Sequence, residues 1–395
     1  MLTLVLTLAS CKGRKLEYEL NEDGKSYTVV GIGDYDSEKV VIPAFYKFKP
    51  VTAIGSSAFD NCKNITSVKM SNRVTSIGNS AFSGCENLVS VKISKHATSI
   101  GDEAFRYCTS LTNITIPDSV TSIGDYAFFY CTSLKSITIP DSVTSIGAGV
   151  FSDCISLKSV TIPDSVKSIN PWMFCGCIHL TSIEIPNSVT SIGWSAFSGC
   201  RSLTSIEIPN SVTFIGNSAF SGCTDLKSVV MPNSITTVQH QAFFGCENLS
   251  RVYITDIASW CGISFEESFY SNPLCYAGDL YLNGELVTEL VIPEGVITIG
   301  AYAFYNCTSI TSVIITDGVT SVDYSALFGC EGLINVTIPD SVTTVNWYAF
   351  SNCANLTKIN FGGTVEQWNN ITKHGQWDYN TGDYTVYCTD GEIKK

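Results

Sequence analysis

The sequence predicts a repeat solenoid, a coil of short parallel strands, and two observations support this fold class. A cysteine recurs nine times at intervals of 23 residues from Cys62 to Cys246, and again at Cys307, Cys330 and Cys353. Each period also repeats one apolar pattern, L-x-x-I-x-I-P-x-x-V-x-x-I-G-x-x-A-F-x-x-C-x-x. A fixed period of this length is typical of units that bury their apolar side only against their neighbours. Function is therefore expected on a long surface.

The first element of each unit is a strand followed by a turn. In the unit that starts at Leu111, Ile114 and Ile116 alternate with polar residues and therefore face one side of an extended strand. Pro117 ends the strand because proline cannot donate to a strand ladder. The Asp-Ser pair that follows supplies a turn, which brings a second short strand against the first.

The second half of the unit contains a corner and a compact turn. Gly124 is expected to form a left-handed or tight corner. Ala127, Phe128 and Cys131 follow at spacings of one and three, which predicts a single helical or 3₁₀ turn with one buried face. One coil is therefore expected to contain a strand, a turn, a short strand, a corner and a helical turn.

The unit resembles those of the BspA-like leucine-rich repeat family of surface proteins, which are similar to SVTSIGDYAFFYCTSLKSITIPD at residues 119–141. The resemblance extends from about Lys15 to Cys388. It implies a right-handed coil with parallel β-strands and short helical turns, capped at both ends, in a cell-surface protein. In one departure from the commoner leucine-rich pattern, Cys131 lies three residues before Leu134. Detailed rules for the binding face of that class therefore do not transfer.

The pattern divides the chain into six segments. They are an apolar signal segment at 1–11, a β-hairpin cap at 12–50, a first repeat array at 51–246, an irregular aromatic-rich insertion with a hairpin at 247–306, a second array at 307–360 and a C-terminal cap at 361–395. The hairpin cap is predicted because an open strand edge needs cover. The insertion is predicted because 61 residues separate Cys246 from Cys307, two periods and 15 residues more.

The apolar start ends in Leu8-Ala9-Ser10-Cys11, which resembles the cleavage site of bacterial lipoproteins. Cys11 is therefore the predicted lipidation site, and the membrane is contacted only through this anchor. The run is too short to span a bilayer. A signal peptide has a lysine or arginine before its apolar run, and none precedes this one. An ordinary signal fragment and an apolar start without function remain as alternatives.

The periodic cysteines are expected to form a ladder of small buried side chains. Adjacent rungs lie about 5 Å apart, which suits the Cα separation of a disulfide, but parallel side chains are badly oriented for one. Free thiols are the preferred interpretation, and some oxidised pairs are the alternative. The sequence contains no cysteine and histidine cluster with zinc spacing, so no metal or other cofactor is predicted.

The outward strand positions form the first candidate binding surface. They are mostly serine and threonine, with the lysines Lys69 and Lys92 at one end of the series. The candidate contact residues among them are Thr115, Thr138, Thr161, Glu184 and Glu207. The alternative interpretation is that serine and threonine are simply favourable solvent-facing strand residues.

The insertion supplies the second candidate site, formed by Trp260, Phe269 and Tyr270. Such dense aromatic residues either fill the irregular core where two arrays meet or provide ring faces for sugars or peptide side chains. The architectural interpretation is preferred, and a ligand site at the junction is the alternative.

Charge and motif content narrow the function classes. The net charge of −13 disfavours nucleic acid binding, which needs a basic surface. The four histidines occupy different positions of the repeat, so no general base is paired with a nucleophile and no enzyme is predicted. An enzyme would require a carboxylate pair in a pocket at the junction, for example Glu266 with Glu267 or Asp279.

The predicted function is that of a non-catalytic surface protein for adhesion, with extracellular proteins or glycans as partners. The alternative is an envelope scaffold or a self-associating structural protein, and the oligomeric state is open. A change in sedimentation with concentration would favour this alternative.

Overall fold

The computed structural model describes residues 15–35, 37–266 and 269–395. The chain divides into two compact units at residues 165 and 166. Each unit is a solenoid of short parallel strands, which confirms the predicted fold class. The boundaries of the six sequence segments stay predictions.

The first unit consists of strands and turns. Its strands are β1 (Glu17–Leu20), β2 (Tyr27–Gly31), β3 (Lys39–Ile42), β4 (Phe45–Tyr46), β5 (Lys49–Ile54), β6 (Ser67–Met70), β7 (Ser76–Ile77), β8 (Ser90–Lys92), β9 (Ser99–Ile100), β10 (Asn113–Ile114), β11 (Ser122–Ile123), β12 (Ser136–Thr138), β13 (Ser145–Ile146) and β14 (Ser159–Thr161). The antiparallel hairpin β1–β2 lies at the end of the sheet that continues through β5, β7, β9, β11 and β13.

The second unit contains the helical segments. Its strands are β15 (Ser168–Ile169), β16 (Ser191–Ile192), β17 (Ser205–Glu207), β18 (Phe214–Ile215), β19 (Ser228–Val230), β20 (Thr237–Val238), β21 (Arg251–Ile254), β22 (Ser264–Phe265), β23 (Leu280–Leu282), β24 (Glu285–Leu286), β25 (Glu289–Ile292), β26 (Thr298–Ile299), β27 (Ser312–Ile315), β28 (Ser321–Val322), β29 (Asn335–Ile338), β30 (Thr344–Val345), β31 (Lys358–Phe361), β32 (Thr372–Lys373), β33 (Thr385–Cys388) and β34 (Gly391–Lys394). Its helices are α1 (Ile257–Cys261), α2 (Leu274–Ala277), α3 (Val365–Asn370) and the 3₁₀ turn Phe269–Ser271.

Most coils contribute one strand to each of two sheets, although the front segment 181–186 forms no strand. The strands that come before the proline of each unit run parallel to one another and form what we call the front sheet. The strands that come before the glycine corner form what we call the side sheet. Residues 23 positions apart are in register, as Thr138 with Thr161 in the front sheet and Ile123 with Ile146 in the side sheet. One period of sequence therefore equals one coil.

The turn segment from the glycine corner to the cysteine is not helical, contrary to the prediction. Tyr126 and Tyr130 have φ values of 54° and 59°, which no right-handed helical turn contains. The N–H groups of Tyr126, Phe128 and Tyr130 donate to carbonyl oxygens of the next coil, at 2.8, 3.0 and 2.9 Å. The segment thus forms a third ladder between coils, and these bonds alternate with turn bonds within the coil, from Phe129 to Tyr126 and from Cys131 to Phe128.

Position 124 requires glycine because there is no space for a side chain, and not because the backbone there is left-handed. Gly124 is absent from the glycines with positive φ. A Cβ atom at this position would lie 2.4 Å from the backbone nitrogen of Asp102 and 2.7 Å from the carbonyl carbon of Gly101. The corner is therefore glycine because the neighbouring coil packs directly against it.

The core of each unit is a stack of aromatic rings beside a row of thiols. In the first unit Phe59, Phe82, Phe105, Phe128 and Phe151 stack in series, with ring centroids 5.0–5.8 Å apart. In the second unit the same position is filled by Phe174, Phe197, Phe220 and Phe243, at 5.3–5.5 Å. The periodic cysteines are free thiols, and all are buried except the half-buried Cys62.

The abundant serines of the Asp-Ser turns hold one coil to the previous one. The hydroxyl of Ser119 donates to the carbonyl oxygen of Ala97 at 2.6 Å, and that of Ser142 donates to Val120 at 2.7 Å. The same bond recurs in the second unit, from Ser188 to Val166 at 2.6 Å. These hydroxyls are structural, because each satisfies a backbone acceptor between coils.

Candidate binding surfaces

The predicted threonines lie on the outside of the front sheet of the first unit. Thr138 and Thr161 are directly paired neighbours in β12 and β14, and both are exposed. Thr115 is also exposed and follows β10. These side chains form a flat, polar surface that is open to solvent.

The two predicted glutamates line one groove in the second unit. Glu207 ends β17, whereas Glu184 lies in a front segment, residues 181–186, that is described throughout and forms no strand. The groove measures about 600 Å³, and its other lining residues include Ser205 and Val230. Neither carboxylate forms an ion pair with any residue that the structure describes. We call this feature the acidic groove.

Trp260 packs inside the second unit. Only 2% of its surface is exposed, and its indole N–H donates to the carbonyl oxygen of Ala303 at 2.7 Å. The ring also contacts Phe265, with centroids 5.4 Å apart. Trp260 therefore fills the core, as the architectural interpretation predicts, and its ring face is not available to a ligand.

Phe269 and Tyr270 lie in contact with aromatic residues of neighbouring coils. Phe269 stacks on Tyr305 with centroids 4.9 Å apart, and Tyr305 stacks on Phe328 at the same distance. Tyr270 lies 4.1 Å from Phe269 and meets the edge of Phe244. The two predicted residues thus begin a surface that continues along the second unit.

A second row of rings runs beside this stack. Tyr324 lies 5.5 Å from Tyr302 and 5.7 Å from Tyr348, in edge-on contacts. A shallow groove of about 390 Å³ lies between the rows, and every side chain described along it is aromatic except that of the buried Ser325. We call Phe269, Tyr302, Tyr305, Tyr324, Phe328 and Tyr348 the aromatic surface.

The phenols of Tyr302 and Tyr305 stay protonated at neutral pH. Burial raises the pKa of Tyr305 to about 12, with smaller contributions from Cys275 and the neighbouring tyrosines. Burial also raises the pKa of Tyr302, and Tyr324 adds to this shift. Each hydroxyl can therefore both donate and accept a hydrogen bond.

The remaining predicted features fall outside these surfaces. Cys11 lies outside the described residues. Within residues 15–35, 37–266 and 269–395, no three His, Cys, Asp or Glu side chains gather as a metal site would require. In the same residues, no helix is both long enough and apolar enough to cross a bilayer.

Comparison with known families shows to which family the chain belongs. The BspA type leucine rich repeat region matches residues 38–158, 144–271 and 279–373, in six copies. The chain belongs to the BspA-type leucine-rich repeat family. None of the curated proteins compared with this BspA-type protein matches its sequence.

One solved structure of similar fold agrees with this assignment, and two others match with lower TM-scores. A leucine-rich repeat protein from Bacteroides ovatus is 28% identical over 94% of this chain and 98% of its own, with a TM-score of 0.66. A leucine rich cell surface protein from Faecalibacterium prausnitzii is 30% identical, covering 90% and 96%, with a TM-score of 0.45. The pneumococcal vaccine antigen PcpA is 16% identical, covering 96% and 98%, with a TM-score of 0.41.

Sequence reasoning missed most of the aromatic surface of this BspA-type protein. Tyr302, Tyr305, Tyr324, Phe328 and Tyr348 occupy variable positions of the repeat, between the glycine corner and the cysteine. The available signal was the recurrence of aromatic residues at these positions in successive units. It was hidden because a helical turn, as predicted, would have directed these side chains differently.

Proposed function

We propose that this BspA-type protein is a non-catalytic cell-surface protein that recognises protein partners through its aromatic surface. The family and the fold support a repeat-based protein-interaction or surface protein. Adhesion to host or neighbouring-cell macromolecules is the specific role proposed here. A lipid anchor at Cys11 is proposed as the means of attachment.

The continuous row of tyrosine and phenylalanine rings is the observation that carries this proposal. Tyr324 is 39% exposed in a chain of net charge −13, and the rings around it hold their positions by mutual contact. Rigid tyrosines bind protein surfaces at a low cost in side-chain entropy and are enriched among residues that dominate interface energies. The surface is therefore preorganised for a protein partner.

Ring geometry favours a protein over a glycan. A sugar stacks on an open ring face, but both faces of Tyr305 are covered, by Phe269 on one side and Phe328 on the other. The stack presents ring edges and phenol hydroxyls instead. Edges and hydroxyls suit apolar side chains and peptide groups of a partner.

Binding of the full chain to an array of extracellular matrix proteins and glycans tests the proposal. Tyr305→Ala/Tyr324→Ala should weaken binding to a protein partner by about tenfold or more, since truncation of central interface aromatics typically has an effect of this size. The matched control is Tyr107→Ala/Tyr130→Ala, which removes two tyrosines of the turn segments of the first unit.

Three outcomes would contradict the proposal. In the first, the chain binds none of the proteins. In the second, the two double variants lose binding to the same extent. In the third, the chain binds only glycans of the array. Glu184→Gln/Glu207→Gln should leave this binding unchanged. A loss of binding in that variant alone would indicate that the binding site is on the front sheet.

A further inference from the structure

Two lysines stand side by side on the front sheet of the first unit. Lys69 and Lys92 are paired in register in β6 and β8, and both are exposed. Val41, in β3, is the register partner of Lys69 on the other side and is 53% exposed. The order along the sheet is therefore valine, lysine, lysine, at one residue per strand.

The front face of the second unit carries the opposite charge in the reverse order. Glu184 and Glu207 line the acidic groove, and the register partner of Glu207 in β19 is Val230. Val230 is 36% exposed. The order here is glutamate, glutamate, valine, and these residues occupy the same position of the 23-residue repeat as the lysines.

These four charges are unpaired within the part of the chain that the structure describes. The ion pairs found there join Lys63 to Glu86, Arg106 to Glu103 and Lys395 to Asp378. The charges on the front sheet are thus available to a partner of opposite charge.

The two patches are complementary in spacing and in order. Lys69 and Lys92 lie on neighbouring parallel strands, about 4.8 Å apart, and Glu184 and Glu207 are likewise one 23-residue coil apart and line one groove. When the order of coils is reversed, lysine lies opposite glutamate at two positions and valine lies opposite valine at the third. The residues two positions before the charges are serines, at 67, 90, 182 and 205, which are too small to hold two faces apart.

We propose that two copies of this chain associate through their front sheets, with the lysine patch of one copy on the acidic groove of the other. Each copy carries both patches, so each is able to contribute to two such contacts. The interaction is electrostatic with a small apolar component, and it is therefore weak and sensitive to salt. It uses a different surface from the aromatic one and does not depend on the proposed recognition of other proteins.

Sedimentation equilibrium of the purified full chain over a range of concentrations tests the proposal. The apparent mass should rise above 42.8 kDa with concentration. An increase in NaCl from about 50 mM to about 500 mM should weaken the association on the order of tenfold, because salt screens exposed charges. A mass that stays at the monomer value at every concentration in low salt would overturn the proposal.

Charge exchange between the patches is the sharper experiment. Lys69→Glu/Lys92→Glu makes both patches acidic, and Glu184→Lys/Glu207→Lys makes both patches basic. Each variant alone should associate at least about tenfold more weakly than the native chain, since like charges then face each other. An equimolar mixture of the two should associate again, because every lysine patch then meets a glutamate patch.

Matched controls carry the same charge changes elsewhere. Lys25→Glu/Lys394→Glu and Glu22→Lys/Glu392→Lys alter exposed residues that lie outside both patches. Both should associate as the native chain does, and circular dichroism checks that all variants are folded. Equal effects in controls and patch variants, or no recovery in the mixture, would overturn the proposal.

Discussion

The buried thiols are hydrogen-bonded in a regular way. The Sγ atom of Cys154 donates to the carbonyl oxygen of Phe128 at 3.2 Å, and Cys131 makes the same bond to Phe105. Burial raises the pKa of Cys154 from 9.0 to about 12, and Asp153 contributes to this shift. Such a cysteine thus serves as a small apolar residue whose Sγ–H adds a bond to a carbonyl of the previous coil, which already accepts a backbone N–H.

Because this thiol is protonated in the folded chain, the free energy of unfolding decreases at alkaline pH. The folded thiol has the higher pKa, so the folded chain retains protons that the unfolded chain releases above about pH 9. The contribution to the free energy of unfolding is fully present below pH 9 and is lost as the pH rises towards 12. The Cys154 thiol makes the free energy of unfolding fall by about 1.4 kcal/mol per pH unit in this window.

Replacement of one rung checks this prediction. Cys154→Ala should reduce the slope of the free energy of unfolding against pH by about 1.4 kcal/mol per unit between pH 9 and 11, as measured by urea unfolding. It should also lower stability at pH 7, because a small cavity remains. Cys388, which is only partly buried, is the control, and Cys388→Ala should change the slope less. Equal slopes in the native chain and Cys154→Ala would contradict the account.

At the scale of elements, the hairpin β4–β5 has an unusual turn. Lys47 and Phe48 have φ values of 45° and 67°, and the side chain of Phe48 is fully exposed. Two positive φ values define a type I′ turn, for which Asn-Gly is the preferred sequence. The hairpin β23–β24 has that sequence, with φ values of 52° at Asn283 and 87° at Gly284.

Exchange of the two turn sequences should therefore change stability in opposite directions. Lys47→Asn/Phe48→Gly should raise the free energy of unfolding by about 1–2 kcal/mol, since a left-handed backbone is costly for most side chains. Asn283→Lys/Gly284→Phe should lower it by a similar amount. Urea unfolding measures both, and a loss of stability in the first variant would contradict this prediction.

Sequence reasoning predicted the strands of the coil better than its turn segment. Alternating residues such as Ile114 and Ile116 predicted a strand correctly, because alternation follows from strand geometry alone. The spacing of Ala127, Phe128 and Cys131 was interpreted as helical. Those residues are indeed buried, but the backbone between them bonds to the next coil, and no pattern within one unit reports on that neighbour.

At the scale of the molecule, a solenoid of equivalent coils should tolerate removal of one whole period. Deletion of residues 114–136 joins Asn113 to Ile137, restores the pattern and lets Phe151 follow Phe105 in the aromatic stack. The shortened chain should fold with an unchanged circular dichroism spectrum per residue, because each coil contacts only its neighbours.

Deletion of one residue more is the control. Removal of residues 114–137 leaves Thr138 where a buried isoleucine belongs and makes the coil one residue short. A slip of one residue turns strand side chains to the opposite face. The free energy of unfolding should then be lower than that of the 23-residue deletion by about 2–5 kcal/mol. Similar stability of the two deletions would contradict the register described here.

The two candidate sites also differ in how well the sequence predicted them. Glu184 and Glu207 were predicted to be neighbours, since one period of 23 residues separates them, and they do line one groove. Phe269 and Tyr270 were found as part of a dense aromatic segment. The contact of Phe269 with Tyr305 was not predictable, because a segment outside the 23-residue period has no register that the sequence defines.

The sequence by itself determined the coil, its register, its buried phenylalanines and cysteines, and the outward row of charges on the front sheet. Each of these follows from a period that repeats faithfully, so that one unit predicts the next. Only the tertiary structure decided the conformation of the turn segment, the reason for Gly124, the burial of Trp260 and the extent of the aromatic surface. These depend on the distance between one coil and its neighbour, which is set by packing and is not visible in either coil alone.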